Sequence, residues 1–279
     1  MNWQPLFDPL KREHSGETLH EGVPPHLRNR LLSWISRRLG SSYRAANLSR
    51  IEVELRMPMD FTLGEDSAWD SLKRHMDNDP NRMLEVINFL LAQEPTHEDV
   101  MAGVGDVVFL EHSLSTGGSA WRATGEGGTP HLERRVPEEV QKRYDEVSRT
   151  GRSGDHLRLA WQAMYRQNPS PTEAYDHAVK AVEVAGRPVI SPTNDKSTLG
   201  TMIRDFNAKP EKWDVPLAGD PNQGRDALRT MMQGVWHGHL RHGDETKPVE
   251  VSAHEAEAAL HTALTLVHLF SAGLVTRST

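Results

Sequence analysis

The chain has 279 residues, no cysteine, and 32 lysines and arginines against 39 aspartates and glutamates, which gives a net charge of −7. Without cysteine, disulfides and thiolate chemistry are excluded, so catalysis must use histidine, serine, tyrosine or charged groups. The sequence contains neither a membrane-length apolar stretch nor a secretory pattern at residues 1–7. We therefore expect a cytoplasmic protein with no membrane partner. Its 15 histidines are the side chains best suited to proton transfer near neutral pH.

Residues 1–95 are predicted to form an N-terminal all-α domain. A first helix follows Pro24 and ends before Gly40, and leucine and isoleucine side chains recur between them at helical spacing. Further helices are expected at 66–76 and at 80–92, where a proline suits the first helical position.

Arginines are concentrated in this first region. Six arginines and no acidic residue lie between residues 24 and 50. Such a cluster can contact phosphate groups, and Arg37 and Arg38 are the candidates for that role. The alternative interpretation is a solvated helix face with its adjoining loop. Because the net charge is negative, any nucleic-acid site must be local.

Residues 96–153 are predicted to hold a β-hairpin and a connecting helix. A glycine-rich tip separates two alternating runs, 119–124 and 131–136, which is typical of a hairpin. A charged helix is expected after Pro137. The short polar segment 150–154 is the predicted linker to the C-terminal region.

Residues 154–279 are predicted to form a bundle of four or five helices without strands. The closing helix, 252–272, begins with a capping box formed by Ser252 and Glu255. Apolar residues cover most of its circumference, so it must be buried in the centre of the bundle or against a second subunit. We expect a homodimer through this bundle.

The helix before the closing helix is predicted to end in the cluster His237, His239, Arg241 and His242, followed by Gly243. Three interpretations remain open. The histidines can be core residues bonded to neighbouring helices, they can bind a metal, or they can move protons while Arg241 holds a phosphate. A metal is disfavoured because His237 and His239 point apart on a helix and no nearby acid completes a ligand set. We therefore expect no metal and no cofactor.

Two parts of the chain resemble bacterial defence proteins. Residues 174–183, 196–200, 241–243 and 253–270 are similar, in this order, to the HEPN superfamily and within it to the C-terminal domain of abortive infection (Abi) proteins. Residues 19–29 are similar to the N-terminal domain of AbiJ-type abortive infection proteins.

The resemblance implies a four- to five-helix bundle that dimerises and cleaves RNA without a metal. In such chemistry, a histidine assists a ribose 2′-hydroxyl in attacking the adjacent phosphate, and an arginine stabilises the developing charge. His242 matches the histidine of the family pattern. The arginine of that pattern would fall at Val235, Trp236 or His237, none of which is an arginine, and Arg241 lies beside His242 instead.

The predicted function is therefore abortive infection, or phage defence, through RNA cleavage, with RNA as the candidate partner. The catalytic candidates are His242, Arg241, His239 and His237, and the RNA-binding candidates are Arg229, Lys180, Arg37 and Arg38. The alternative is a non-catalytic HEPN-like module that senses a ligand or regulates a partner through the bundle.

Overall fold

The computed structural model describes residues 19–40, 42–93, 106–125, 129–149, 151–217, 219–237 and 251–278. Contacts divide the chain into two compact units, Met1–Arg135 and Val136–Thr279. Within the described ranges, the chain is mainly helical with two short antiparallel strand pairs, which confirms the predicted mainly-α fold with a small β insert. None of the helices described is long and apolar enough to cross a membrane.

The first unit is built largely from helices. Its described helices are α1 (Pro25–Leu39), α2 (Arg44–Glu54), α3 (Glu65–Asn78), α4 (Pro80–Leu91) and α5 (Asp106–Thr116). Leu31, Trp34 and Ile35 of α1 are fully buried at helical spacing. Gly40 ends α1 with a φ of 68°, a left-handed conformation that glycine adopts without a Cβ clash.

The predicted hairpin is present and belongs to this unit. Strands β1 (Trp121–Thr124) and β2 (His131–Arg134) are antiparallel, with Trp121 opposite Arg134 and Thr124 opposite His131. β1 packs on α5, and β2 packs on α4. Leu132 of β2 is fully buried among the helix side chains, so the hairpin completes the core of the first unit.

The second unit is a helical bundle. Its described helices are α6 (Glu138–Val147), α7 (Gly151–Tyr165), α8 (Pro171–Ile190), α9 (Leu199–Ala208), α10 (Pro221–His237) and α11 (Ala253–Ser271). Helix α8 packs closely against both α7 and α11. The capping box of α11 is confirmed, because Ser252 Oγ accepts the Glu255 N–H and the Glu255 carboxylate accepts the Ser252 N–H. Nine side chains of α11 are buried in this unit's own core, which favours central burial of the helix.

Two expectations for this unit are wrong. The predicted linker overlaps the first turn of α7, and a Cβ on Gly154 would lie 2.2 Å from the Ser148 carbonyl oxygen, so this glycine permits close packing. A strand pair, β3 (Trp213–Asp214) with β4 (Thr276–Arg277), is present where no strand was expected. Strands of two residues are too short to show the alternation from which a strand is predicted.

Candidate functional site

The predicted histidine cluster begins where the described part of α10 ends. The backbone of His237 forms the last residue of α10, whereas His239, Arg241 and His242 lie outside the described residues. Arg229, earlier on α10, forms an ion pair of 2.9 Å with the aspartate three residues before it. The catalytic assignment of the cluster stays a prediction.

Two contacts fix the end of α10 against its neighbours. The Tyr175 hydroxyl on α8 donates a hydrogen bond of 2.8 Å to the Val235 carbonyl oxygen, which is buried. The Trp236 ring lies so close to Gly200, in the first turn of α9, that a Cβ on this glycine would be 2.4 Å from the ring. The end of α10 therefore lies beside the second turn of α8.

The second unit brings two histidines together from consecutive helices. Nδ1 of His156 on α7 lies 3.2 Å from Nδ1 of His177 on α8, and the ring centroids are 5.5 Å apart. Both side chains are half-buried. Because a short turn joins α7 to α8, residues 21 positions apart in the chain face each other across the seam between the helices.

Nearby charged side chains influence the pKa values of this pair. Burial lowers the pKa of both imidazoles, and the proximity of each ring to the ammonium of Lys180 lowers the pKa values further. His177 and Arg152 also lower the pKa of His156, whereas Asp155 raises it. Both imidazoles are therefore neutral at pH 7, and a cation stands one turn from His177 on an exposed part of α8.

Among the predicted RNA-binding residues, Lys180 is thus the one that lies near groups able to transfer protons, His156 and His177. The chain order already puts His177 and Lys180 one turn apart on a helix, which is the signal that could have drawn attention to His177. His156 had no such signal, because its partner lies on another helix. The sequence analysis therefore included neither His156 nor His177 among its candidates and missed the pair.

The arginine cluster of the first unit is largely engaged within the fold. Arg38 is 6% exposed, and its guanidinium donates to the carbonyl oxygens of Leu90 and Gln93 at 3.0 and 2.8 Å. These bonds connect α1 to the end of α4, so the guanidinium is used within the fold. Arg37 is exposed and lies over the ring of Phe109, 4.7 Å from its centroid. Of the two predicted phosphate contacts, Arg37 is the one at the surface.

A second polar cluster joins α7 to α11. The buried Tyr165 hydroxyl donates to Glu257 Oε1 at 3.0 Å and lies 2.9 Å from His261 Nε2. A hydroxyl has one proton, so the proton of the second bond must belong to His261 Nε2. The chain of bonds therefore runs from His261 through Tyr165 to Glu257 and stabilises the packing of the two helices.

Neither metal ligands nor relatives point to a function. In the part of the chain that the structure describes, no group of three or more histidine, aspartate or glutamate side chains is arranged to hold a metal ion. Comparisons with protein-family models, curated proteins and solved structures return no match. The chemical part of the functional assignment therefore depends on the side chains themselves.

Proposed function

We propose that this protein is a metal-independent endoribonuclease of the abortive infection type with a HEPN-like C-terminal unit. The His156–His177 pair beside Lys180 is the observation that carries the proposal. A neutral imidazole can act as a general base, a second imidazole can hold it in the required tautomer, and a lysine can balance the charge of a phosphate. None of these groups needs a metal ion for this chemistry.

Each group has one role in the cleavage reaction. The Nε2 of one imidazole removes the proton of a ribose 2′-hydroxyl, the 2′-oxygen bonds to phosphorus, and the bond from phosphorus to the 5′-oxygen breaks. The second imidazole holds the first in the required tautomer through the Nδ1 contact, the Lys180 ammonium stabilises the charge that develops on the phosphate, and water protonates the leaving 5′-oxygen. Tyr175 supports a contribution from the histidine cluster as well, because it lies two residues before His177 and holds the end of α10. Arg241 and His242 follow α10 in the sequence.

The biological part of the proposal comes from the resemblance to Abi proteins. It assigns the enzyme to phage defence or growth arrest in the cytoplasm, as a homodimer that acts on RNA. Because α11 is buried within its own unit, a second subunit would contact other helices of the bundle. Arg37, exposed on α1, is the candidate for an additional RNA contact from the first unit.

Incubation of the full-length protein with total RNA in EDTA tests the proposal. We expect cleavage in EDTA, and we expect His156→Ala and His177→Ala each to lose about 10²–10⁴-fold of the rate, as is typical when a general acid or base is removed. His242→Ala tests the residue that the resemblance implies. His254→Ala is the matched control, because this histidine is exposed on α11 in the same unit.

The outcome separates the two functions that the sequence leaves open. Cleavage that the control variant retains and the His156 or His177 variant loses supports the ribonuclease. Intact RNA at micromolar wild-type protein contradicts it and favours the non-catalytic module.

A further inference from the structure

Arg152 and Lys180 lie at the same end of the His156–His177 pair. Arg152 stands four residues before His156 on α7, and Lys180 stands three residues after His177 on α8, so each cation shares a helix face with one ring. Five residues connect α7 to α8, and the two helices pack side by side as an antiparallel pair. The start of α7 and the end of α8 therefore lie in the same direction along the seam. Both cations are displaced in that direction from the rings, by about 6 Å on α7 and about 4.5 Å on α8.

Two of the acidic side chains near the rings are paired with arginines. Asp155 forms an ion pair with Arg158 on its own helix, and Glu173 forms one of 2.8 Å with Arg166. Glu173 also stands four residues before the ring on α8, at the end of the pair opposite to the two cations. The third acid, Asp176, directly precedes that ring in the sequence, so its side chain leaves the helix about 100° away from it.

Arg152 and Lys180 are not neutralised in this way within the part of the chain that the structure describes. No ion pair there joins either cation to a carboxylate, and both side chains are exposed. Arg152 stands in the first turn of α7, where no acidic residue is present and where a cation opposes the helix dipole. Helix stability therefore does not explain its position. An oxyanion bound by both cations would compensate their charge.

The two cations differ in how they act on the two rings. After burial and the neighbouring ring, Lys180 and Arg152 lower the pKa of His156, whereas after burial Lys180 alone of the two cations lowers the pKa of His177. Coulomb interactions weaken with distance, so a phosphate held between the two cations lies nearer to His156. His156 is therefore the ring placed to act as the base, and His177 is the residue that positions it.

We infer that Arg152 and Lys180 form a clamp for a phosphate group of RNA beside His156, an inference that rests on the proposed function. A guanidinium can donate two parallel hydrogen bonds to a phosphate, and an ammonium adds a compact positive charge. Free phosphate shares this chemistry with the phosphate of an RNA chain, and competition between the two distinguishes the sources.

The tautomers of the two rings follow from this assignment. His156 Nε2 needs a lone pair to act as the base, so the ring carries its proton at Nδ1 and donates it to His177 Nδ1. His177 then holds its own proton at Nε2. Nε2 of His156 takes the proton of the 2′-hydroxyl, the 2′-oxygen bonds to phosphorus, and the bond from phosphorus to the 5′-oxygen breaks. Water protonates the 5′-oxygen and removes the proton from His156, and the products are a 2′,3′-cyclic phosphate and a 5′-hydroxyl.

Imidazole titration by NMR tests the clamp without RNA cleavage. The ring signals of the EDTA-treated full-length protein are assigned with His156→Gln and His177→Gln, and inorganic phosphate is the first probe. We expect saturable binding that raises the pKa of His156 more than that of His177, because the nearer anion favours the charged ring. In the absence of phosphate, Arg152→Gln should raise the pKa of His156 alone. Phosphate that changes neither titration overturns the clamp.

A 2′-O-methyl oligoribonucleotide, which has no 2′-hydroxyl and is not cleaved, is the second probe. We expect it to displace inorganic phosphate, and we expect Arg152→Gln and Lys180→Gln each to weaken its binding about 10–100-fold. Each variant should also reduce the slope of log Kd against log salt by about 0.7, as for the loss of one phosphate contact to a single strand. Arg204→Gln is the matched control, because it removes the same charge from an exposed position on α9.

The pH dependence of cleavage distinguishes the assigned roles from structural ones. The acid limb of the rate profile reports the pKa of the base. Removal of Arg152, Lys180 or the His177 ring takes away a group that lowers the pKa of His156, so this limb should move to higher pH in Arg152→Gln, Lys180→Gln and His177→Gln. A purely structural role would lower the rate and leave the limb in place.

The clamp and the proposed function fail separately. Cleavage by Arg152→Gln at the rate and pH dependence of the Arg204→Gln control overturns the clamp and leaves the ribonuclease in place. An oligonucleotide that binds through Arg152 and Lys180 to a protein that leaves RNA intact supports the clamp and overturns the ribonuclease. Inorganic phosphate that binds but is not displaced by the oligonucleotide overturns the assignment of the clamp to RNA.

Discussion

Replacing Gly224 with alanine is expected to destabilise the C-terminal unit, although alanine is the better helix former. Gly224 is buried in the first turn of α10, where a Cβ would lie 2.4 Å from the Val215 carbonyl oxygen and 2.5 Å from that of Leu217. Both are backbone atoms, so the preceding loop or the helix itself has to move. Overpacking of this kind costs about 1–3 kcal/mol.

Gly234, on the same helix, provides the matched control. It is exposed, and nothing lies within 4 Å of the position that a Cβ would occupy. Alanine there gains helix propensity of about 0.5–1 kcal/mol. The two variants should therefore differ in stability by about 1.5–4 kcal/mol. For a unit of this size, that corresponds to a difference of roughly 5–15 °C in Tm.

Urea unfolding and thermal denaturation, both followed by circular dichroism, measure this contrast. We expect Gly224→Ala to unfold before the wild type and Gly234→Ala to unfold after it. Equal stabilities, or a Gly224→Ala variant more stable than the wild type, would refute the close approach between α10 and the loop before it. Because α10 leads into the predicted histidine cluster, the experiment also tests the packing of the helix that carries His237.

Three further predictions concern single side chains. The Glu133 carboxylate raises the pKa of His131, so the stabilising contribution of this ring is fully present below about pH 6.5 and is lost as the pH rises through the raised pKa. Urea unfolding from about pH 6 to pH 9 should show this loss in the wild type and not in His131→Asn; parallel profiles contradict it. Arg38→Met removes the side-chain donor from two carbonyl groups at the α4 end and should cost about 1–3 kcal/mol in urea unfolding, whereas an unchanged midpoint would mean that these bonds contribute nothing. Ser252→Ala removes the cap of α11 and should cost about 0.5–2 kcal/mol in the same assay, and wild-type stability would argue against the capping box.

Most of the helices could be predicted from local patterns. Helical spacing indicated α1, and the capping box indicated the start of α11, because both signals involve residues within a turn or two of one another. Helix α5 gave no such signal. Its exposed Val108 stands two positions from the buried Leu110, so its apolar residues do not follow one face.

Only the tertiary structure shows which of two neighbouring arginines is buried and which is exposed. The sequence offered Arg37 and Arg38 as equivalent candidates for phosphate contact. Successive residues of a helix point about 100° apart, so the packing of α1 on α4 buries one guanidinium and leaves the other at the surface. Nothing local to the pair indicates which of the two faces the core.

The sequence by itself determined the available chemistry: no thiol, many imidazoles, and a lysine one turn from His177 on α8. Only the tertiary structure decided which imidazoles lie together. His156 comes within 3.2 Å of His177 because α7 and α8 pack side by side. Two residues on different helices have no periodic relation in the chain, so no pattern within the sequence could have paired them.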